Sequence, residues 1–289
     1  MIHVFSTKPS SDEFLQNFVE TKEHKFYKFE GKGGEKFYDR QWPDFKTIPQ
    51  GDEVAFQGII RNTHEIKNYC VDNKIKYYYF DQPYFYMSGY ATHDHFNDVF
   101  YRVCVNNTQK TFISQAQKYE DRYKEFYKKS PEEITLHDWR EKGEHILVIP
   151  PSHHTARWYG IDRHKWEKDI VSELKKYTDR EIRVRHKFVN NKDWGEKVSM
   201  PLKEDLKNCW AMVSWHSMCA VEAVMNGVPS FTSPHSPASP VSLQLFNLDS
   251  IEEPDMPERK QWLYSLTGAI FTKKEMKSGY AYDFLQDEE

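Results

Sequence analysis

The chain has 289 residues, of which 38% are hydrophobic and 16% aromatic, and its net charge is -4. That length suits two domains of ordinary size, and no apolar run approaches the ~20 residues of a membrane-spanning helix. The acidic total excludes a uniformly basic nucleic-acid coat, while 40 Lys and Arg leave material for a local basic groove.

In chain order, Met1 to Phe5 reads as a first strand, without the basic, apolar and small-residue segments of a signal peptide. Ser11 to Val19 has helical spacing. Asp52 to Ile60 reads as a buried strand, Asn62 or Thr63 as the cap of a helix from His64 to Asn73, and Lys76 to Phe80 as a Tyr-rich strand ending at Asp81. That order is the crossover a parallel sheet requires. A loop-rich stretch from Gln82 to Asn97 precedes a further strand, Tyr101 to Asn106, and a charged helix from Ser114 to Lys129. Ser130-Pro131 has the chemistry of a helix start. Four cysteines, Cys70, Cys104, Cys209 and Cys219, lack CxxC spacing and read as reduced core thiols, so a cytoplasmic location is expected.

A second domain restarts near Glu144. His145 to Pro150 is a strand followed by a polar loop through Arg157, Trp166 to Tyr177 is an amphipathic helix, and Glu181 to Lys187 is the next strand. Trp210 to Ser214 is a third strand, with a polar turn, an apolar helix closed by Gly227, and a strand from Val228 to Phe231 after it. In a doubly wound sheet the loops after these strands open on one edge. A diphosphate needs hydrogen-bond donors and positive charge in one place, and Ser152, His153, Thr155, Arg157, Arg185, Lys187, Ser214, His216 and Ser217 supply both. Such loops are polar in many proteins, so the pattern alone leaves an ordinary α/β turn open. No GxGxxG follows the first strand and no GxxxxGK[ST] occurs, which removes support from a dinucleotide enzyme and a P-loop kinase. The tail from Pro257 to Leu285 holds two helices parted near Phe271-Thr272, the second capped by Thr272 with Glu275.

Ser217, Glu222-Ala223 and Gly227-Val228-Pro229 resemble the Ser-x-x-x-x-Glu-Ala-x-x-x-Gly-x-Pro pattern of GT-B glycosyltransferases. The resemblance implies two Rossmann-like domains facing a cleft, with C-terminal helices crossing back to the first. It divides the chain into an acceptor-binding domain over 1–143, a donor-binding domain over 144–257 and returning helices over 258–289. Glu222 would accept hydrogen bonds from the donor's ribose, and a helix N-terminus would face its phosphates. Tyr101-Arg102-Val103, Asn106 and Gln109, with a tail like Arg259-x-x-Trp262-Leu263, resemble phage-encoded glycosyltransferases.

The implied reaction moves a hexosyl group from a nucleotide sugar, a UDP-sugar first, to an acceptor hydroxyl. Asp81, at a strand's C-terminal end, is the candidate base, with a turn cap as its alternative role. Tyr84, His93, Arg102, Asn106 and Gln109 would lie on the acceptor side. The first acceptor expected is 5-hydroxymethylpyrimidine in phage double-stranded DNA, in the host cytoplasm, with Arg102, Lys110 and Lys118 pairing phosphates. A surface polysaccharide is the second, and a non-catalytic nucleotide-sugar-binding module is the rival of a different class. No cofactor beyond the co-substrate is required, and a divalent metal is not implied. His93-Asp94-His95 does not read as a metal site, because neighbouring residues on a strand point to opposite faces.

Overall fold

The computed structural model describes residues 1–6, 9–28, 42, 45–60, 62–85, 100–129, 131, 134–186 and 201–288. It is an α/β protein of two units, residues 1–108 with 268–289, and residues 109–267. Each unit is built on its own sheet, which among the described residues has six strands in the first and five in the second.

The first unit opens with β1 (Ile2–Ser6), α1 (Pro9–Val19) and β2 (His24–Lys28), continues through β3 (Glu53–Gln57), α2 (Thr63–Asp72) and β4 (Tyr77–Asp81), and then β5 (Phe100–Val105). From the chain's end it takes β11 (Ile270–Thr272), α9 (Lys273–Lys277) and α10 (Tyr280–Phe284). The sheet order is β11-β5-β4-β3-β1-β2. β2, β1, β3 and β4 run parallel, whereas β5 is antiparallel to both β4 and β11. Aromatic side chains fill both faces. Phe18 of α1 sits 5.0 Å from Tyr78 and 5.0 Å from Phe80, while on the other face Phe5 stacks on Tyr27 at 4.7 Å. The C-terminal segment is tied in by Tyr282, whose hydroxyl donates to Glu53 Oε2 at 2.6 Å, beside Tyr78 on Oε1 at 2.9 Å.

The second unit begins with α3 (Gln117–Lys129) and β6 (His145–Ile149), then α4 (His153–Tyr159), α5 (Arg163–Leu174) and β7 (Glu181–Val184). α6 (Leu202–Asp205), β8 (Cys209–Ser214), α7 (Cys219–Met225), β9 (Ser230–Thr232), β10 (Leu243–Gln244) and α8 (Lys260–Thr267) complete it. Its sheet is wholly parallel, in the order β10-β9-β8-β6-β7. One face packs Ile146, Val148, Val213 and Phe231 against Trp166, Ile170 and Leu174 of α5. Counted from each unit's own first strand, both sheets share the order 2-1-3-4-5. In each, the direction of winding reverses between the first and third strands.

Several local expectations are corrected. The polar loop expected after Ile149 is the start of α4, where Ser152 Oγ accepts from Thr155 N at 3.1 Å. Asn62 precedes α2 in a left-handed conformation with no side-chain cap, and Thr63 instead donates to the Gly58 and Ile60 carbonyls. Of the helix start expected at Ser130-Pro131, Pro131 is in a 3-10 turn, residues 130, 132 and 133 lie outside the described residues, and residues 134–144 form no helix. That segment is held by its backbone, with His137 N on Met225 O and Arg140 N on Gly227 O. The units divide at 108/109 and 267/268, whereas the sequence places the borders at 143/144 and 257/258. The reason is α3, which packs on α8 through Tyr123 and Tyr264 at 4.7 Å and through Arg122 Nε on Thr267 O at 3.1 Å. In the tail, Thr272 and Glu275 form the expected capping box, but a strand, β11, stands between the helices and the second helix is broken into α9 and α10.

Candidate functional site

Where neighbouring connections leave opposite faces of a parallel sheet, a crevice opens beyond the strands' carboxyl ends. In the second unit that point lies between β6 and β8, where Ile149 is in register with Ser214. Ser214 is in turn in register with Thr232 of β9, so all three side chains share one face at the carboxyl edge. Ser214 and Thr232 are both fully buried, and neither hydroxyl has a hydrogen-bond partner among the described residues. Buried hydroxyls are normally satisfied, so an unpaired pair side by side marks a place built for something polar.

Rings gather around the same edge. Tyr159, the last residue of α4, stacks on His235 at 4.8 Å and lies 5.4 Å from His216 and 6.2 Å from Trp215. The chain segments after β6, β8 and β9 therefore meet in one cluster. Ser233 ties two of them together, its hydroxyl donating to Trp215 O at 2.6 Å. Trp215 Nε1 is a further buried donor without a hydrogen-bond partner among the described residues. Among those residues, no three His, Cys, Asp or Glu side chains gather as a metal site.

The predicted donor-side residues divide. Ser152, Thr155, Ser214, His216 and Ser217 lie at the carboxyl edge, with His153 and Arg157 exposed on the first turns of α4. Ser152 and Thr155 are bonded to each other at 2.9 Å, and Ser217 Oγ accepts from Cys219 N at 3.1 Å. Glu222 is exposed one turn into α7, among the buried Val221, Ala223 and Val224. Arg185 goes elsewhere. Its guanidinium pairs with Asp205 of α6, whose carbonyl is bonded to His145 at the opposite end of β6. Lys187 lies outside the described residues. The phosphate-facing helix N-terminus also loses weight, because α7 is seven residues long and Met218 before it is already helical. A roomy surface cavity of about 570 Å³, lined by Lys175, Tyr177, Arg180 and Glu252, sits before the amino end of β7, away from this edge.

In the first unit Asp81 ends β4 as expected, but both its oxygens are engaged. Oδ1 accepts from Gln82 N at 2.8 Å, while Oδ2 accepts from Tyr79 OH at 2.7 Å and Arg102 Nη2 at 3.1 Å. That is the turn-cap and ion-pair role, with three hydrogen bonds on the carboxylate. Arg102 is 2% exposed and its guanidinium lies 4.9 Å over the Tyr84 ring, so neither presents itself to a phosphate backbone. Asn106 sits at the other end of the sheet, where its side chain accepts from Tyr77 N at 3.0 Å. Gln109 is buried and belongs to the second unit. Lys110 is 1% exposed, bonded to Tyr119 OH at 3.2 Å and caged by the Phe112 and Tyr119 rings. His93 lies outside the described residues.

Tyr159, Trp215, Thr232 and His235 were not among the residues singled out from sequence. Thr232 carried a usable signal, being the polar last residue of a buried strand, as Ser214 is. The ring cluster carried none, because Tyr159, the Trp215-His216 pair and His235 come from three segments far apart in sequence.

No protein-family model matches the chain, and no curated protein sequence does. Among solved structures it is similar to two described as Thermosulfurimonas dismutans KpsC. With the beta Kdo 2,7 transferase the TM-score is 0.50 at 8% identity, covering 97% of this chain and 98% of that one. With the beta Kdo 2,4 transferase it is 0.47 at 11% identity, covering 91% and 89%. With the 2,7 transferase the likeness is one of fold, and it extends over nearly the whole of both chains.

Proposed function

We propose that this chain is a GT-B glycosyltransferase that moves a sugar from a nucleotide-sugar donor to a hydroxyl of a saccharide. One observation carries the donor side, the convergence of the segments after β6, β8 and β9 on the carboxyl edge of the second sheet, over the buried hydroxyls of Ser214 and Thr232. Tyr159, Trp215, His216 and His235 offer stacking faces and ring N–H donors, and Glu222 offers a carboxylate to ribose hydroxyls. The likeness in fold to a protein named as a Kdo transferase favours sugar chemistry and a saccharide acceptor. The DNA acceptor loses its support with Arg102 and Lys110, since two cations it counted on are buried and engaged within the protein. With Asp81 held by Arg102 and Tyr79, no catalytic base is assigned.

The test is thermal unfolding with UDP-, GDP- and CMP-linked sugars, followed by assay of nucleotide release. A ligand that binds only the folded state stabilises it by about 2.7 kcal/mol at 100 times its dissociation constant. One donor class should raise the melting temperature and slowly release its nucleotide. Binding without any release would point to the non-catalytic module, and no shift with any donor would overturn the transferase reading.

A further inference from the structure

The two sheets share more than their winding. In each, the last residue of the third strand carries a buried polar atom with no hydrogen-bond partner among the described residues, Ser214 Oγ at the end of β8 and Gln57 Oε1 at the end of β3. Gln57 is 7% exposed. The pleat puts it on the same face as Ala55 and Glu53. Val4 is in register with Ala55 and Ile2 with Glu53, so the next residue of β1 on that face is Ser6. Ser6 and Gln57 thus end neighbouring strands at the reversal point of the first sheet. Gly58 follows with φ +71, and a Cβ built on it would meet nothing within 4 Å beyond its chain neighbours. There is open space beside the strand end.

A glutamine carbonyl oxygen accepts from O–H or N–H and has nothing to offer an anion. Leaving it buried and unpaired destabilises the free protein, and a ligand hydroxyl removes that penalty on binding. We infer that Gln57 is an acceptor-binding residue, its Oε1 taking a hydrogen bond from a sugar hydroxyl at the carboxyl end of β3. The role of that sugar as acceptor rests on the transferase reading above; the hydrogen-bonding preference rests on Gln57 itself.

The experiment uses the full chain with methyl α-glucoside, methyl β-galactoside and N-acetylglucosamine as probes. The side-chain amide signal of Gln57 is identified by its loss in Gln57→Met, and Gln57→Leu serves as a second apolar replacement. The wild-type signal should move with at least one probe. Both variants should melt a few degrees higher than wild type when free and lose the probe's stabilising shift, while keeping the shift produced by nucleotide sugars. A melting temperature lowered in both variants would show that the fold itself uses the amide, and would overturn the inference. An amide signal unmoved by all three probes would overturn it as well. Failure of every nucleotide sugar, with the glycoside response intact, would count against the transferase reading and leave the polyol site standing.

Discussion

Arg102 shows why a cation read from sequence cannot be assigned to a ligand until its neighbours are known. Its pairing with Asp81 compensates a guanidinium that burial would otherwise leave stranded. Asp81→Ala should therefore lower stability by roughly 2–3 kcal/mol, the scale for a charged hydrogen-bonded pair, measured by urea unfolding. If Asp81 were purely catalytic, that variant would lose turnover and keep its midpoint. Glu222 gives the opposite expectation. It is exposed on α7, so Glu222→Ala should leave unfolding unchanged and weaken nucleotide-sugar binding by about 1.5–3 kcal/mol, read by calorimetric titration. Unchanged affinity would remove Glu222 from the site.

His145, at the start of β6, has its pKa lowered from the ordinary histidine value by burial, and Nε2 is bonded to Asp205 O at 2.9 Å. The unfolded chain takes up a proton near pH ~6.5 that the folded one refuses, so stability falls as pH drops below that value. His145→Gln should flatten the unfolding midpoint between pH 7 and 5. A slope as steep in the variant would assign it to other groups. Asp52 acts lower on the scale. Hydrogen bonds from His3 and the N-terminal ammonium hold its pKa below the usual carboxylate range, so its contribution is present above pH ~4 and lost as the carboxylate protonates.

At the scale of elements, the turn from α7 into β9 places the site's third strand. Gly227 has φ +75, and a Cβ there would lie 1.9 Å from the Asp138 carbonyl oxygen. Gly227→Ala therefore combines backbone strain with a backbone clash, and should cost at least about 3 kcal/mol by thermal unfolding. Loss of less than about 1 kcal/mol would show that residues 137–140 can move away. The strand–loop–helix–Gly–strand order around Ser214 was legible because each piece is written locally, with apolar runs for strands and Gly where the chain must turn left-handed. α4 was not, since seven residues with two adjacent histidines carry little periodicity. β11 was not, because three residues become a strand only by pairing with β5.

At the scale of the whole molecule, the chain's return to its first unit is the least local feature. Residues 268–289 supply an edge strand and two short helices there, tied by Tyr282 on Glu53 and the Lys273–Glu13 ion pair. Ending the chain at Thr267 should uncover the β5 edge and leave the first unit unable to fold, seen as loss of its hydrogen-exchange protection. Retained protection in β1 and β3 would show the tail to be an accessory. By itself the sequence determined the α/β class, most strands and the helices longer than about ten residues, because hydrophobic period and capping chemistry act within a few residues. It also placed Ser214, Ser217 and Glu222 on one strand–helix turn. Only the tertiary structure decided that Arg102, Lys110 and Arg185 face protein partners, that Tyr159, Trp215, His216 and His235 come together, and that Gln57 Oε1 has no hydrogen-bond partner among the described residues. The physical reason is that a long polar side chain reaches several ångströms from its backbone, and what it meets there is set by sheet order and packing between distant segments.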